Sequence, residues 1–257
     1  MKDAAILARA ALLLPLVLAG CSRIPGKPTP GDEVPRPTAI LNFATLYGEN
    51  CAGCHGANGQ HGAAIDLGNP EYQALVDDAT LRNTIAQGLK GTLMPAFAQS
   101  AGGMLTDQQV DALVKGMRAH WARPAQFAGV VFPSYKADMT GDVARGEIVY
   151  NNNCSMCHDE ANAPSVGTGP ITNKNFLSLM NNQVLRTIVI TGRPDFGMPD
   201  WRERIPGAPM SKQDIADVVA WLASQRPVTP SAETQPTPAQ PTTQMQPAHA
   251  GSHGGAK

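Results

Sequence analysis

Two stretches of the chain carry apolar residues at helical spacing. Residues 81–87 and 184–191 each place apolar side chains on one face with a period close to 3.6 residues. A glycine follows each stretch directly, Gly88 in the first case and Gly192 in the second. Glycine readily adopts the left-handed conformation that commonly ends a helix. The pattern therefore predicts two helices that end at these glycines.

Two longer amphipathic segments lie further along. Thr106-x-x-Gln109 and Ser211-x-x-Asp214 have the spacing of a capping box, which starts a helix. After each box the apolar residues fall on one helical face, which predicts one buried side per helix. These residues are Val110, Leu113, Val114 and Met117, and Ile215, Val218, Val219 and Leu222. A further helix is predicted over 140–152. Strand signals are weak, so the predicted fold class is all-α.

The helical pattern is present twice. Residues 47–55 align with residues 150–158 at an offset of 103, and the later helices align at offsets of 104 and 105. An offset that drifts so little indicates a duplicated unit. We expect one domain at 39–123 and a second at 138–226, joined by a linker at 124–137.

Neither end of the chain is expected to belong to these units. Residues 1–20 have the charged start and apolar stretch of an export signal. The sequence LAGC at 18–21 resembles a bacterial lipobox, which predicts lipidation of Cys21 as the mature N-terminus; a plain cleaved signal and an uncleaved anchor are the alternatives. The Pro-rich segment 21–38 is predicted to be a linker. The Pro/Thr/Gln-rich segment 227–257 is predicted to be disordered.

Composition excludes several classes of function. The 20 Lys and Arg residues against 21 Asp and Glu residues leave no basic stripe, so nucleic-acid binding is not expected. No run of about 20 apolar residues is present, so an ordinary membrane span is not expected either. No Ser/His/Asp set, phosphate loop or paired carboxylate stands out, and no small-molecule substrate is evident.

The chemistry of the chain is concentrated in two C-x-x-C-H motifs. Two thiols three residues apart, followed by histidine, suit covalent attachment of haem c, with the imidazole as proximal iron ligand. One such motif alone could be a redox dithiol or half of a zinc site. Two motifs at equivalent places of a repeat, in a chain with an export signal, favour two haem c groups. The motif cysteines are Cys51, Cys54, Cys154 and Cys157, and the motif histidines are His55 and His158.

Spacing also predicts the second axial ligand of each iron. Met94-Pro95 follows His55 by 39 residues, and Met198-Pro199 follows His158 by 40. A neutral thioether favours Fe(II), so a His/Met site is typical of electron transfer. Six further methionines lack a matched partner and are expected to pack in the core. They are Met104, Met117, Met139, Met156, Met180 and Met210, while His61 and His120 are expected to be structural or surface residues.

The whole pattern resembles tandem class I cytochrome c domains over about 170 of the 257 residues. In that family a glycine on the first helix fits an aromatic residue on the last. The second unit conforms, with Gly146 and Tyr150 before the motif and Trp221 on its last helix. In the first unit Phe43 replaces the glycine and Gly116 replaces the tryptophan, so the bulk is expected to have moved across the contact.

The resemblance also implies an acceptor for the proximal histidine. In the family a proline carbonyl accepts from this ring, and Pro170 is the expected counterpart in the second unit. The first unit has no proline at that place and carries Gly62-Ala63-Ala64 instead.

These features predict a lipid-anchored diheme electron carrier, not an enzyme, on the periplasmic side of a bacterial membrane. Its donor would be a quinol-oxidising complex or a dehydrogenase, and its acceptor an oxidase or reductase. A fixed haem-bearing subunit of a larger respiratory complex is one alternative. A diheme peroxidase is another, and it would require one iron open to peroxide.

Overall fold

The computed structural model describes residues 34–159 and 169–227 of the 257-residue chain. Within these ranges the regular structure is helical, apart from isolated bridges of Ala98 with Leu105 and Arg193 with Met198. The prediction of an all-α fold is confirmed. Cys21, the export signal and residues 228–257 lie outside the described residues.

The helices of the two units follow the same order along the chain. Those of the first unit are α1 (Phe43–Asn50), α2 (Ala52–His55), α3 (Pro70–Leu75), α4 (Asp78–Gln87) and α5 (Asp107–Trp121). Those of the second unit are α6 (Val143–Asn153), α7 (Ser155–His158), α8 (Lys174–Ser178), α9 (Asn182–Thr191) and α10 (Lys212–Ser224). Short 3-10 turns occupy Pro37–Ala39, Gln99–Ala101, Pro124–Phe127 and Pro194–Phe196. No helix in the described ranges is long and apolar enough to cross a membrane.

Side-chain caps start the longer helices. Both capping boxes are complete. The Thr106 hydroxyl accepts from the Gln109 backbone N–H, and the Gln109 side chain accepts from the Thr106 backbone N–H; Ser211 and Asp214 make the same two bonds. These boxes set the first residues of α5 and α10. The apolar face predicted for each of the two helices is buried.

The glycines that end α4 and α9 differ in one respect from the prediction. Gly88 has φ 71° and ψ −172°, and Gly192 has φ 67° and ψ −169°. The positive φ is as expected, but ψ is extended instead of left-handed. This region of conformational space is almost exclusive to glycine, and it directs the chain away from the helix axis.

Each unit buries its own apolar core, and the two cores meet through one residue. The first cluster draws on residues 46–117 and the second on residues 149–222, while Leu75 packs against both. Helix α3 packs on α9, where the Asn69 amide donates to the Thr191 carbonyl at 2.9 Å. Arg186 donates to the carbonyl of Ser134, so the connecting segment is also tied down. The two units therefore contact each other through apolar packing and hydrogen bonds.

Candidate haem sites

The first C-x-x-C-H motif occupies the turn between α1 and α2. Cys51 caps α1 by donating its backbone N–H to the Tyr47 carbonyl at 2.9 Å, and its side chain is buried. Cys54 on α2 is exposed, whereas His55 at the end of α2 is buried. The Tyr47 hydroxyl donates to the Gly56 carbonyl at 2.8 Å. This bond fixes the end of the motif against α1.

A backbone carbonyl orients the ring of His55. Its Nδ1 lies 2.9 Å from the carbonyl oxygen of Ile65, which can only accept, so Nδ1 carries the proton and Nε2 is left as a ligand. Burial lowers the pKa of His55, the Ile65 carbonyl opposes this, and the Arg193 cation lowers the pKa further. The result is a neutral imidazole, the form that binds iron. The first unit thus has an acceptor although it lacks the proline.

The second motif repeats this arrangement between α6 and α7. Cys154 caps α6 and is buried, Cys157 is half-buried, and His158 at the end of α7 is buried. The Tyr150 hydroxyl donates to the His158 carbonyl at 3.1 Å. Both motifs therefore place two thiols and one imidazole on a single turn held by a tyrosine.

The expected hydrogen bond between His158 and the Pro170 carbonyl is not observed. The Pro170 carbonyl accepts from the backbone N–H of Asn173 at 3.3 Å. Nδ1 of His158 is buried and has no hydrogen-bond partner among the described residues, which exclude 160–168. The backbone of Gly169 raises the pKa of His158, against the larger lowering by burial, without completing a hydrogen bond. The prediction for Pro170 is wrong, since its carbonyl makes no hydrogen bond to the His158 ring, and the backbone group that acts on this ring belongs to Gly169, one residue earlier.

The buried thiols do not resemble a redox dithiol or a zinc site. Burial raises the pKa of Cys51 to about 11 and also raises the pKa of Cys154. Redox-active and zinc-binding cysteines need the thiolate, which a lowered pKa favours. In the described part of the chain, no group of three or more His, Cys, Asp or Glu side chains is arranged to hold a metal ion. The raised pKa values therefore disfavour both of these alternatives.

Each Met-Pro segment closes onto the glycine that ends the preceding helix. A Cβ added to Gly88 would lie 2.8 Å from the carbonyl oxygen of Met94. A Cβ added to Gly192 would lie 2.5 Å from the carbonyl oxygen of Met198. Both methionines are half-buried, and Met94 packs against the core cluster that contains Cys51. Both units therefore share the Met-Pro sequence and the close approach of its methionine carbonyl to the helix-ending glycine.

The other six methionines fall into three groups, of which Met139 and Met180 are half-buried. Met117 and Met210 are buried, as expected for core residues. Met104 and Met156 are each 77% exposed, so the prediction that they pack in the core is wrong. Met156 points outward because its neighbours Cys154 and His158 take the inward positions of the one-turn helix α7.

Two buried donors in the second unit indicate how a haem fits there. Nε1 of Trp201 and Nε of Arg204 are buried and have no hydrogen-bond partner among the described residues. Burial lowers the pKa of Arg204, and its cation lies close enough to Cys154 and Cys157 to interact electrostatically with both thiols. Unpaired buried donors are costly unless a partner arrives. The two propionate carboxylates of a haem would supply such partners, so the residues present fit the group.

The first unit lacks this pair of donors. Phe97 follows Met94 by three residues, as Trp201 follows Met198, so Phe97 occupies the position equivalent to Trp201. A phenyl ring cannot hydrogen-bond a carboxylate. The two haem sites thus differ in their polar surroundings although their motifs match.

A charged cluster also lies between the two units, near the second Met-Pro segment. Arg202 is bonded to Glu71 of α3 and to Asp200 at 2.8 Å. Burial, and next its hydrogen bond to Asp200, raise the pKa of Glu71 to about 8. Burial alone would raise the pKa of Asp200, but its bonds from Arg202 lower it. Glu71 therefore holds a proton near neutral pH and donates it to the Asp200 carboxylate.

Comparison with known proteins places the chain in a family. Residues 38–115 and 141–222 match the family described as cytochrome C oxidase, cbb3-type, subunit III. The cbb3-type cytochrome c oxidase subunit CcoP of Azospirillum sp. (strain B510) is 30% identical over 207 residues, which cover 69% of this chain and 62% of that protein. The subunit FixP of Bradyrhizobium sp. (strain ORS 278) is 29% identical over 170 residues, covering 63% of this chain and 54% of that protein.

One solved structure shares a weaker likeness. The Kuenenia stuttgartiensis reducing HAO-like protein complex Kustc0457/Kustc0458 has a TM-score of 0.42 and 14% identity, over 76% of this chain and 100% of that chain.

The chain belongs to the cbb3-type cytochrome c oxidase subunit III family. The match extends over both units separately, which confirms tandem cytochrome c domains and two haem c groups as cofactors. Family membership supports an electron-transfer haem protein. The chain spans 62% of the length of the Azospirillum sp. (strain B510) relative.

Proposed function

We propose that this chain is a lipid-anchored diheme cytochrome c that passes single electrons between respiratory partners on the periplasmic side of a bacterial membrane. One observation carries the proposal. In both units a buried motif histidine is paired, at almost the same spacing, with a methionine whose backbone closes on a helix-ending glycine. This duplication supports two electron-transfer centres of the same kind.

The chain's own residues have distinct tasks in this proposal. The thiols of Cys51 and Cys54, and of Cys154 and Cys157, attach the two haems. Nε2 of His55, oriented through Ile65, and the ring of His158 would bind the two irons, and the sulfur atoms of Met94 and Met198 would supply the second protein ligand of each iron. The haem supplies an iron that cycles between Fe(III) and Fe(II). These residue assignments are proposals that ligand substitution can test.

A peroxidase is disfavoured by the same ligand set. Peroxide needs an open position on one iron, and a methionine in both units leaves none. Burial of both histidines and the hydrogen bond from His55 to Ile65 also hold these rings in place. Electron transfer needs no open position, since the electron moves through the edge of the haem.

The family match favours an oxidase as the electron acceptor. The relatives are named as subunits of a cbb3-type cytochrome c oxidase. This proposal has two forms. The chain is either a tethered carrier that binds such an oxidase transiently or a fixed subunit of the oxidase. We place the carrier first, and the membrane anchor predicted from the lipobox-like residues 18–21 is compatible with both forms.

The tether and the mode of partnership can be tested together. Affinity purification of the full chain from detergent-solubilised membranes, washed with salt, should yield it without stoichiometric oxidase. Cys21→Ser should move the protein into the soluble fraction and retain both haems. Stoichiometric oxidase in the washed sample would support the fixed subunit instead. An unmodified mature N-terminus by mass spectrometry would refute the lipid anchor.

The haem content tests the core of the proposal. Pyridine haemochrome analysis should give two haem c groups per full-length chain. Each pair of Cys→Ser substitutions should remove one of them. Retention of both haems after the substitutions would show that the motifs are not the attachment sites.

A further inference from the structure

Arg193 lies at the start of the loop that carries Met198. Its backbone N–H donates to the Met198 carbonyl at 3.0 Å, and the Met198 N–H donates to the Arg193 carbonyl at 3.0 Å. This two-way pairing sets the position of Met198 relative to α9. The backbone of Arg193 thus belongs to the second haem site.

The side chain of Arg193 reaches into the other unit. Its guanidinium donates to the Gly62 carbonyl at 2.9 Å and to both carboxylate oxygens of Asp195, at 3.0 and 2.9 Å. Asp195 in turn accepts from the backbone N–H of His61 at 2.8 Å. The side chain of Arg193 is 13% exposed and that of Asp195 is fully buried. The guanidinium also lies 4.7 Å above the ring of Phe196.

The segment His61–Gly62, to which Arg193 and Asp195 are hydrogen-bonded, packs against the first haem motif. A Cβ added to Gly62 would lie 2.3 Å from the Cys54 carbonyl oxygen and 2.5 Å from the carbonyl carbon of His55. His61 has φ 59°, the sole positive φ of a non-glycine residue in the described ranges. Asp195 holds the N–H of this residue, so the conformation depends on a partner from the second unit.

We infer that Arg193 is a positioning residue that links the two haem sites, and that its cation raises the redox potential of the first haem from the second unit. A buried positive charge is poorly screened and stabilises Fe(II) relative to Fe(III). The hydrogen bond to the Gly62 carbonyl brings the cation next to the backbone of Cys54 and His55, and the Asp195 carboxylate offsets part of its charge. This inference rests on the proposed ligand set.

The link runs in one direction. Leu89 occupies the equivalent place in the first unit, where its N–H donates to the Met94 carbonyl at 3.1 Å. The leucine side chain has neither a charge nor a hydrogen-bond donor that could contact the other unit. The first haem therefore lies near a cation from the second unit, Arg193, whereas the equivalent residue of the first unit, Leu89, places no charge near the second haem.

The direct test is a spectroelectrochemical titration of the full-length holoprotein. Arg193→Leu installs the residue of the matching position and leaves the backbone pairing possible, and it should lower the midpoint potential of the first haem. Asp195→Asn removes the compensating anion and should raise that potential. A merely structural role would shift the potential in the same direction in both variants. Arg193→Lys, which keeps the charge, should restore most of the potential lost in Arg193→Leu.

Two further samples make the result assignable. A Met94→His background lowers the potential of the first haem and so separates its wave from that of the second. Arg82→Gln removes an exposed arginine that pairs with Asp107 and Asp111, and should leave both potentials unchanged.

The outcomes separate the inference from the proposed function. Two bound haems with an unchanged first potential in Arg193→Leu would overturn the inference and leave the proposed function standing. Shifts of the same sign in Arg193→Leu and Asp195→Asn would also overturn it. Fewer than two haems in the wild-type chain would overturn the proposed function itself. If Arg193→Leu fails to fold, Asp195→Asn and Arg193→Lys still decide the sign.

Discussion

Phe43 of α1 lies directly against Gly116 of α5, and a Cβ added to Gly116 would lie 2.1 Å from Cδ2 of the Phe43 ring. The second unit has the reverse arrangement, in which a Cβ added to Gly146 would lie 2.6 Å from Cβ of Trp221. Bulk and glycine have exchanged helices, as the sequence comparison of the two units predicted. Helices α1 and α5 can approach closely only because one partner at this point has no side chain.

The crossing predicts a specific pattern of stabilities. Gly116→Ala should lower the free energy of unfolding by about 1–3 kcal/mol, because the new methyl overpacks against Phe43. Combining it with Phe43→Ala should recover part of that loss, which urea unfolding of the holoprotein can measure. Gly48→Ala is the matched control, since Gly48 is also helical but has nothing within 4 Å of an added Cβ. Strict additivity of the two substitutions would contradict the contact.

The glycine after α9 predicts a defect confined to the second haem. Gly192→Ala should displace the Met198 backbone and remove the near-infrared sulfur-to-iron band of one haem, because the added Cβ would lie 2.5 Å from the Met198 carbonyl oxygen. Gly197 is the control, since its φ of 79° is also positive but an added Cβ meets nothing within 4 Å. Gly197→Ala should cost about 1–2 kcal/mol of strain and keep the band. Equal loss of the band in both variants would point to strain instead of the close contact.

Substitution of each proposed methionine ligand, Met94 or Met198, should open one iron. The oxidised wild type should show the near-infrared band of two His/Met haems, and Met94→Ala and Met198→Ala should each remove half of it. The potential of the affected haem should fall, because water or a harder ligand stabilises Fe(III). Carbon monoxide should then bind at the opened iron. Rapid carbon monoxide binding to the wild type, with high peroxidase turnover, would refute the carrier.

The interface carboxylate Glu71 predicts a pH dependence of stability. Its pKa of about 8 in the folded state is above its ordinary value of 4.5, so the folded state binds the proton more tightly. The contribution of Glu71 is therefore fully present below about pH 4.5 and declines as the pH rises to about 8. Glu71→Gln should flatten this decline in urea midpoints measured from pH 5 to 9.

A matched variant distinguishes Glu71 from general charge effects. Glu49 is an exposed glutamate on α1, and Glu49→Gln should leave the decline as in the wild type. An undiminished decline in Glu71→Gln would show that another group titrates in this range.

Much of the site could be predicted from the sequence because its signals are local. A C-x-x-C-H motif needs one turn of helix, and a capping box needs four residues, so Thr106 and Ser211 could be assigned without a fold. The matched Met94 and Met198 emerged from the repeat, since spacing to the motif is kept when a unit is duplicated. The exchange between Phe43 and Gly116 also follows from the repeat, because the alignment pairs Phe43 with Gly146 and Gly116 with Trp221.

The surroundings of the sites depended on contacts that the sequence does not encode locally. The acceptor for His55 is the backbone carbonyl of Ile65, and any residue type supplies a carbonyl, so no side-chain signal identifies it. Trp201 and Arg204 became evident only as buried donors without partners. Arg193 contacts a loop 131 residues away, which depends on how α3 packs on α9. Motifs and spacings determined which residues can hold two haems, whereas tertiary packing decided which charges and carbonyls surround each one, because those contacts form between segments that are distant along the chain.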